Sequence, residues 1–216
     1  MRVLITAGPT YEPLDPVRFI GNHSTGKMGY ALAETFAAAG AEVHLISGPT
    51  NLPDPVHSGI RTQRVQTADE MYAAAAALAG AADIWVFAAA VADYKPAHVA
   101  ENKIKKAGDT LTLELIKNID IAAALGKTKR PEQFSVGFAL ETENERAHAL
   151  DKLQRKNFDL VVLNSLRDAG AGFRHDTNKI TLLEADGCVT TFELKLKAEV
   201  ARDIVQTVLA RLPHHA

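Results

Sequence analysis

The chain opens with RVLITAGPT (Arg2–Thr10), and this stretch indicates the kind of fold to expect. Arg2–Ala7 is a short run of mostly aliphatic residues, and Gly8 and Pro9 follow it at once. Such a run, closed by a turn signal, is typical of a strand buried on both faces of a sheet. The opening therefore predicts a buried β-strand.

Outward from this strand, helical and extended patterns alternate. A helical pattern runs from Gly26 to Ala39 and ends at Gly40, and Glu42–Ser47 follows as a second apolar strand. Thr67–Glu70 has the residues of a capping box, which predicts a helix over Met71–Leu78. Alternation of this type predicts an α/β fold.

The alternation continues through the middle of the chain. We expect strands at Ile84–Val91, Leu111–Leu115, Phe134–Ala139 and Leu160–Leu163, and helices at Ile121–Leu125 and Asn144–Lys156, the second capped by Thr142–Glu145.

The C-terminal part has a different pattern. Lys179–Glu184 and Val189–Leu194 flank an Asp-Gly pair, which predicts a β-hairpin, and Leu196–Leu212 has the period of one amphipathic helix. Together these patterns predict a Rossmann-like, doubly wound α/β three-layer sandwich. We expect a mainly parallel sheet, a C-terminal hairpin, a final helix and one domain over residues 1–216.

Composition limits the partners. The formal net charge of −2 gives no overall attraction to nucleic acid or to anionic membranes. A single cysteine, Cys188, excludes an internal disulfide framework. There is no apolar run of membrane-spanning length, so we expect a cytoplasmic protein that binds neither nucleic acid nor membrane.

The segment GNHSTGKM (Gly21–Met28) is close to the phosphate-binding pattern G-x-x-x-x-G-K-[ST] but has Met28 at the hydroxyl position. A long Pro-containing loop also separates it from the first strand, which argues against a P-loop. Two interpretations stay open: a Gly-rich helix start, or an anion site at a helix N-terminus. Nearby hydrogen-bond donors are Arg18, Asn22, His23, Ser24, Thr25 and Lys27.

Three other groups are candidates for ligand binding. Asp93 follows an apolar strand, where α/β sheets bind ligands, although a capping role fits equally well. Lys103, Lys105 and Lys106 suggest a phosphate clamp or only a solvated face. Lys152 and Lys156 have the i,i+4 spacing that places two charges on one helix face.

Six motifs occur in order along the chain: AGPTYEPLDPVRFIGNHSTGKMG (7–29), AAAVADYKP (88–96), ENKIKK (101–106), KNIDI (117–121), VGFALET (136–142) and NKITLL (178–183). As a set they resemble phosphopantothenate–cysteine ligase of the bacterial, CTP-dependent type, which is often fused to a flavin-dependent decarboxylase. The resemblance covers nearly the whole chain.

The resemblance implies a reaction and its partners. CTP activates the carboxylate of 4′-phosphopantothenate as an acyl-cytidylate, and L-cysteine then forms the amide, with release of CMP and pyrophosphate. It further implies Mg²⁺ and a homodimer, for which the terminal hairpin offers a sheet edge. The protein ligands of the metal stay undetermined.

The same resemblance implies residue roles. Asn22 and Lys103 are the expected catalytic residues, with Lys103 on a mobile flap. Arg18, Asn22 and Ala89 are expected to bind the acyl substrate. The expected nucleotide-binding residues are Phe87, Ala88, Ala89, Asp93, Lys103, Ile119, Asp120, Ile121, Ala122, Phe138, Lys152 and Lys156. Ile119 stands where the family commonly has proline, which predicts a less rigid turn.

Two rival functions remain at this point. A nicotinamide-dependent oxidoreductase is disfavoured because Pro9 lies where backbone donors should face a pyrophosphate. A non-catalytic regulator would bind CTP without consuming it.

Overall fold

The computed structural model describes residues 1–106, 108–141, 143–165 and 175–212. The strands are β1 (Arg2–Ala7), β2 (Tyr11–Pro13), β3 (Phe19–Gly21), β4 (Glu42–Ser47), β5 (Ile60–Arg64), β6 (Ile84–Phe87), β7 (Tyr94–Pro96), β8 (Leu115–Lys117), β9 (Phe134–Glu141), β10 (Leu160–Ser165), β11 (Thr177–Asn178), β12 (Ile180–Glu184), β13 (Val189–Thr191) and β14 (Lys195–Leu196). The helices are α1 (Lys27–Ala38), α2 (Ala68–Ala79), α3 (Ile121–Gly126), α4 (Glu145–Arg155) and α5 (Lys197–Arg211).

One eight-stranded sheet organises the molecule, in the order β13-β12-β10-β9-β6-β1-β4-β5. The six strands from β10 to β5 are parallel, whereas β12 and β13 are antiparallel. The chain starts at β1, proceeds to one edge through β4 and β5, and then returns to β6 on the other side of β1. The strand order therefore reverses between β1 and β6, which is where doubly wound sheets open a crevice for ligands.

Helices cover both faces of this sheet and make it the middle of three layers. On one face, α1 and α5 pack on side chains of the central strands, with Phe36 and Val200 fully buried. On the other face, α2 and α3 enclose Trp85, and α4 packs over β9 and β10 through Ala149 and Leu153. Because the parallel strands are covered on both sides, they have the continuous apolar runs seen in the sequence.

The fold class predicted from the sequence is confirmed, including the terminal hairpin and the final helix. The Thr67 capping box is also present, since its side chain accepts from the backbone N–H of Glu70 and the Glu70 side chain accepts in return. Within the described residues, none of the helices combines the length and apolar character required to cross a membrane.

Several element predictions were wrong in detail. The expected strand Leu111–Leu115 is irregular until Leu115, where the short strand β8 begins and pairs with β7 outside the main sheet. The strand predicted over Ile84–Val91 ends at Phe87, because the chain there leaves the sheet to form the crevice. β5 was missed, since its exposed polar residues lack an apolar run.

The cap predicted for α4 also differs. Thr142 lies outside the described residues. The N-cap is Asn144, with a left-handed φ of 45° and no capping hydrogen bond from its side chain.

Candidate functional site

A cleft of about 820 Å³ lies at the carboxyl ends of the central strands. Residues that follow β6, Ala88–Asp93, line it, and so do the segment Asn22–Gly29 and the turn Lys117–Ala123. Phe138 of β9 and Asn164 of β10 extend it along the sheet edge. The cleft thus occupies the point at which the strand order reverses.

Small residues form the floor of this cleft. The backbone N–H of Ala88 donates to the carbonyl of Thr6 at 3.0 Å, and the N–H of Ala90 donates to the carbonyl of Gly8 at 2.8 Å. The chain after β6 therefore continues alongside the chain after β1. The Thr10 hydroxyl oxygen also accepts from the N–H of Ala92 at 3.0 Å. Alanine side chains leave room for a ligand to approach this fixed backbone closely.

Asn22 is tied to the floor. Its amide nitrogen donates to the carbonyls of Ala90 at 3.3 Å and Val91 at 3.0 Å. An amide nitrogen has two hydrogens, so a ligand acquires this donor only by displacing one of the carbonyls. Asn22 and Ala89 both line the cleft, and their role in binding the acyl substrate stays a prediction.

The N-terminus of α1 is held close to the floor by glycine. Gly26 is the N-cap residue, with a φ of 77° and no capping side chain. A Cβ at Gly29 would lie 2.5 Å from the Cβ of Ala7, so only glycine permits this approach of α1 to the end of β1. The first-turn N–H groups and the positive end of the helix dipole therefore face the cleft region.

One group of charges lies on the α3–α4 side. Lys156 pairs with Asp120 at 3.0 Å, and Arg155 lies 3.7 Å from the same carboxylate. Burial alone would raise the pKa of Asp120. The backbone N–H of Ala123 and the side chains of Lys156 and Arg155 outweigh the effect of burial, so the pKa of Asp120 is lowered. Lys152 lines the cleft beside them. Lys152, Arg155 and Lys156 all line the cleft here and bring positive charge to this wall, which favours anions.

A second group of charges comes from α1 and α5. Lys27 pairs with Asp176 at 2.5 Å, and Lys197 is 8% exposed with its ammonium donating to the His175 carbonyl at 2.6 Å. Beside them the Asn178 amide donates to Asn164 at 3.1 Å.

The sequence reasoning singled out neither Lys197 nor Asn164 nor Asn178. Lys197 was hidden in the amphipathic pattern of α5, and the two asparagines looked like ordinary strand ends. Arg155 was likewise unpredicted, although it is adjacent to the predicted Lys156.

Two of the predicted residues do not line the cleft. The guanidinium of Arg18 donates to the Asp15 carboxylate, at 2.6 and 3.0 Å, and to the Ile104 carbonyl at 2.7 Å. Lys103 is exposed, next to Ile104. The remaining predicted site residues, Asn22, Phe87, Ala88, Ala89, Asp93, Ile119, Asp120, Ile121, Ala122, Phe138, Lys152 and Lys156, all line the cleft.

Asp15 anchors the lysine-rich segment. Its carboxylate also accepts from the N–H groups of Val17, Arg18 and Ile104. Burial would raise the pKa of Asp15, but the Arg18 side chain and these three N–H groups hold it well below its usual range. In this state the backbone of Ile104 is thus held by Asp15, while the lysine side chains on either side of it are exposed.

The turn that contains Ile119 is held through its neighbour Asn118. The side-chain amide nitrogen of Asn118 donates to the Ala92 carbonyl at 2.8 Å, and the backbone N–H of Asn118 donates to the backbone carbonyl of Asp93 at 2.9 Å. These bonds attach the turn to the end of β6. Phe87 and Phe158, 5.8 Å apart between ring centroids, form an apolar surface beside it.

The acidic groups bear on metal binding. Within the described ranges, no cluster of three or more His, Cys, Asp or Glu side chains could hold a metal ion. The carboxylates that line the cleft are those of Asp93 and Asp120. Mg²⁺ is commonly bound through one or two carboxylates together with substrate phosphates, so this set fits a phosphate-bound ion rather than a cage within the protein.

The cleft is basic and lies at the strand-order reversal of a doubly wound sheet, where folds of this class commonly bind their ligands. The profile of the family "DNA/pantothenate metabolism flavoprotein C-terminal domain" matches residues 1–212. The chain belongs to this family.

Individual relatives agree with this assignment. The chain is 50% identical to the coenzyme A biosynthesis bifunctional protein CoaBC of Vibrio cholerae over 86% of its length and 47% of that protein. It is also 50% identical to a cysteine/cysteine sulfinic acid decarboxylase of an unknown prokaryotic organism, over 96% of the chain and 58% of that protein. The chain thus spans about half the length of the curated relatives it matches.

A solved structure covers the same region. The crystal structure of the C-terminal domain of CoaBC has 40% sequence identity and a TM-score of 0.83, and the match covers 98% of the chain and 95% of that domain. The similarity therefore extends over the whole fold, the cleft included.

Proposed function

We propose that the chain is a ligase of coenzyme A biosynthesis, which joins 4′-phosphopantothenate to L-cysteine with CTP as the activating nucleotide. The observation that carries this proposal is the cleft. Residues scattered from Asn22 to Lys156, most of the set implied by the resemblance, converge on one basic crevice. The family and the name of the Vibrio cholerae relative support the same pathway.

The nucleotide is proposed to bind on the α3–α4 side. Ile119–Ala122 and Phe138 provide an apolar and backbone-lined surface for the base. Lys152 and Lys156 contribute positive charge to the same wall, where phosphate groups gain most from it. The acyl substrate is then proposed to lie along the alanine floor toward Asn22.

The chemistry has two steps. A carboxylate oxygen of phosphopantothenate attacks the α-phosphorus of CTP, which forms the acyl-cytidylate and releases pyrophosphate. The cysteine amine then attacks the acyl carbon, and the amide forms as CMP leaves and the amine loses a proton. Both steps build negative charge on oxygens, so the cations and amide donors of the cleft lower both barriers.

Lys103 is proposed to act from the segment anchored by Asp15. Its side chain is exposed in this state, so the catalytic role requires the segment to close over the ligands. Closure would also exclude water, which otherwise hydrolyses the mixed anhydride.

Mg²⁺ is proposed as the partner of the CTP phosphates, where it would neutralise charge on the triphosphate. Asp93 is the exposed carboxylate of the cleft, whereas Asp120 is already engaged by Lys156. Asp93 is therefore the residue we assign to the ion or to its bound water.

The active form is proposed to be a homodimer. β13 is the edge strand of the main sheet and all three of its residues are exposed, so it offers pairing groups to a second copy. Light scattering of the active protein is expected to give twice the monomer mass. Val189→Lys is expected to lower the measured mass toward that of the monomer. An active monomer would contradict this assembly.

One assay tests the proposed function. Wild-type protein with phosphopantothenate, CTP, Mg²⁺ and cysteine is expected to release pyrophosphate and to form phosphopantothenoylcysteine in equal amounts. CTP binding without pyrophosphate would favour a regulator, and reduction of a carbonyl substrate by NADH would favour an oxidoreductase.

A further inference from the structure

Lys27 and Lys197 bring two positive charges to the part of the cleft formed by α1 and α5. Each is the first residue of its helix, and both line the cleft. These helices cover one face of the sheet, whereas Lys152 and Lys156 belong to the opposite face. The two pairs of lysines therefore reach the cleft from different sides.

Burial and two neighbouring charges act on Lys197. The pKa of Lys197 is lowered chiefly by burial and further by the positive charge of Lys27, against which the carboxylate of Asp176 acts. That carboxylate is held by Lys27, and its side chain is 76% exposed, so solvent weakens its effect. A buried ammonium beside a second cation gains from any anion that enters.

The surroundings of the pair suit a phosphate group. Asn178 is 3% exposed and its amide is oriented by Asn164, and both residues line the cleft. The N-terminus of α1 lies beside Lys27, with Gly26 at its N-cap and no capping side chain. Buried lysine, oriented amides and free helix N–H groups together provide both charge and directed donors.

We propose that Lys27 and Lys197 form an anion subsite for a phosphate group of a bound substrate, and that Lys27 exchanges Asp176 for this phosphate when the ligand binds. The inference rests on the proposed function for the identity of the substrates. Two of them carry the required group: CTP in its terminal phosphates, and phosphopantothenate in its 4′-phosphate.

Binding of inorganic pyrophosphate, measured by calorimetry, tests the subsite without any turnover. Lys197→Met and Lys27→Met are each expected to weaken pyrophosphate binding about tenfold or more, because each removes a charge-assisted hydrogen bond. Lys197→Arg should retain most of the affinity. Lys195→Met, at a neighbouring lysine paired with Asp203, is the control and should bind as wild type.

Asp176→Asn should act in the opposite direction and tighten binding, since it removes the carboxylate that competes for Lys27. A merely structural role would make this substitution weaken binding or leave it unchanged. Unchanged pyrophosphate affinity in both lysine variants, with unchanged melting temperatures, would overturn the proposal.

Steady-state kinetics then separates the two sources of phosphate. A rise in KM for CTP in Lys197→Met assigns the subsite to the terminal phosphates, and a rise in KM for phosphopantothenate assigns it to the 4′-phosphate. If neither KM changes, the subsite does not serve these substrates and the proposal fails. A wild-type protein that lacks ligase activity but binds pyrophosphate through Lys197 would reject the proposed function and keep the subsite.

Discussion

At the residue scale, the sequence identified most of the cleft because its motifs contain the residues that touch the ligand space. Asn22 and Asp93 are polar residues next to Gly-rich or Ala-rich segments, and Lys156 has the i,i+4 spacing to Lys152, so these positions stand out against apolar strands. Lys197 does not stand out, because a lysine at the start of an amphipathic helix is ordinary in sequence. Its burial and its proximity to Lys27 arise only when α5 packs against α1.

Lys103→Met tests the catalytic assignment at this scale. The lysine is exposed on an anchored segment, so its loss should leave the fold and CTP affinity largely intact. Turnover is expected to fall by about 10²–10³, the usual cost of one charge-stabilising donor. Pyrophosphate release and calorimetry with CTP are the measurements. The exposed neighbour Lys106→Met is the control, and near-normal turnover of Lys103→Met would remove this lysine from the mechanism.

Asp15→Asn tests the anchor of the same segment. The Asp15 carboxylate accepts from the Arg18 side chain and from the N–H of Ile104, so its neutralisation should lower the urea midpoint at pH 7. The pKa of Asp15 is lowered in the folded state and lies near 3.9 in unfolded chains. Its stabilisation is therefore complete above about pH 5 and is lost as the pH falls below 4.

The difference in urea midpoint between wild type and Asp15→Asn should accordingly shrink between pH 7 and pH 3.5. Asp109→Asn, at an exposed carboxylate, is the matched control and should show a small difference at both pH values. A difference in urea midpoint that is the same at pH 7 and pH 3.5 would mean that the charge of Asp15 does not stabilise the fold.

At the scale of elements, the regular helices and buried strands were predictable because the spacing of their apolar residues matches the faces that each element buries. The observed bounds agree with the predicted ones to within one residue for α1, β1 and β4. Helix α2 begins three residues earlier than predicted. β8 was displaced and β5 missed, because short edge or isolated strands depend on partners that are distant in sequence. The end of β6 at Phe87 was missed for a similar reason. It lies at the crevice, which β1 and β6 form together, so the sequence of β6 alone does not reveal it.

Gly29→Ala tests the close approach of α1 to β1. An alanine inside a helix normally stabilises it by about 0.5–1 kcal/mol relative to glycine. Here the added Cβ would lie 2.5 Å from the Cβ of Ala7, and overpacking of this kind costs about 1–3 kcal/mol. We expect net destabilisation in chemical denaturation and weaker CTP binding, because the helix N-terminus moves away from the cleft.

Gly80→Ala is the control for Gly29→Ala. Gly80 has a φ of −62°, and nothing lies within 4 Å of the position that a Cβ would take there, so alanine should be neutral or stabilising. Equal stability changes at the two glycines would show that the contact with Ala7 is easily relieved.

At the scale of the whole molecule, the strand order places the cleft and thereby limits the chemistry. The reversal between β1 and β6 brings together loops that are far apart in sequence, and the two lysine pairs reach the crevice from opposite faces of the sheet. A crevice with cations on both walls suits two phosphorylated substrates held end to end. The alternation of strands and helices predicted this architecture, whereas the pairing of charges across it depends on packing and was not predictable.

In the proposed reaction, the carboxylate can attack CTP at either of two phosphorus atoms. Attack of the carboxylate at the α-phosphorus gives an acyl-cytidylate and pyrophosphate, whereas attack at the γ-phosphorus gives an acyl phosphate and CDP. Asn22 lies at the floor between the segment that starts α1 and the end of β6, and it is therefore placed to contact a large intermediate that spans both parts of the cleft. On this basis we propose the acyl-cytidylate route.

Isotopic labelling distinguishes the two routes. Phosphopantothenate with ¹⁸O in its carboxylate is incubated with CTP, Mg²⁺ and cysteine, and the nucleotide product is analysed by mass spectrometry. The acyl-cytidylate route transfers one labelled oxygen to CMP and none to pyrophosphate, because the attacking oxygen stays on the α-phosphorus when the amide forms. Without cysteine, pyrophosphate should stop at about one equivalent per site, since the closed segment protects the anhydride from water. CDP together with labelled orthophosphate would instead establish attack at the γ-phosphorus and reject the proposed mechanism.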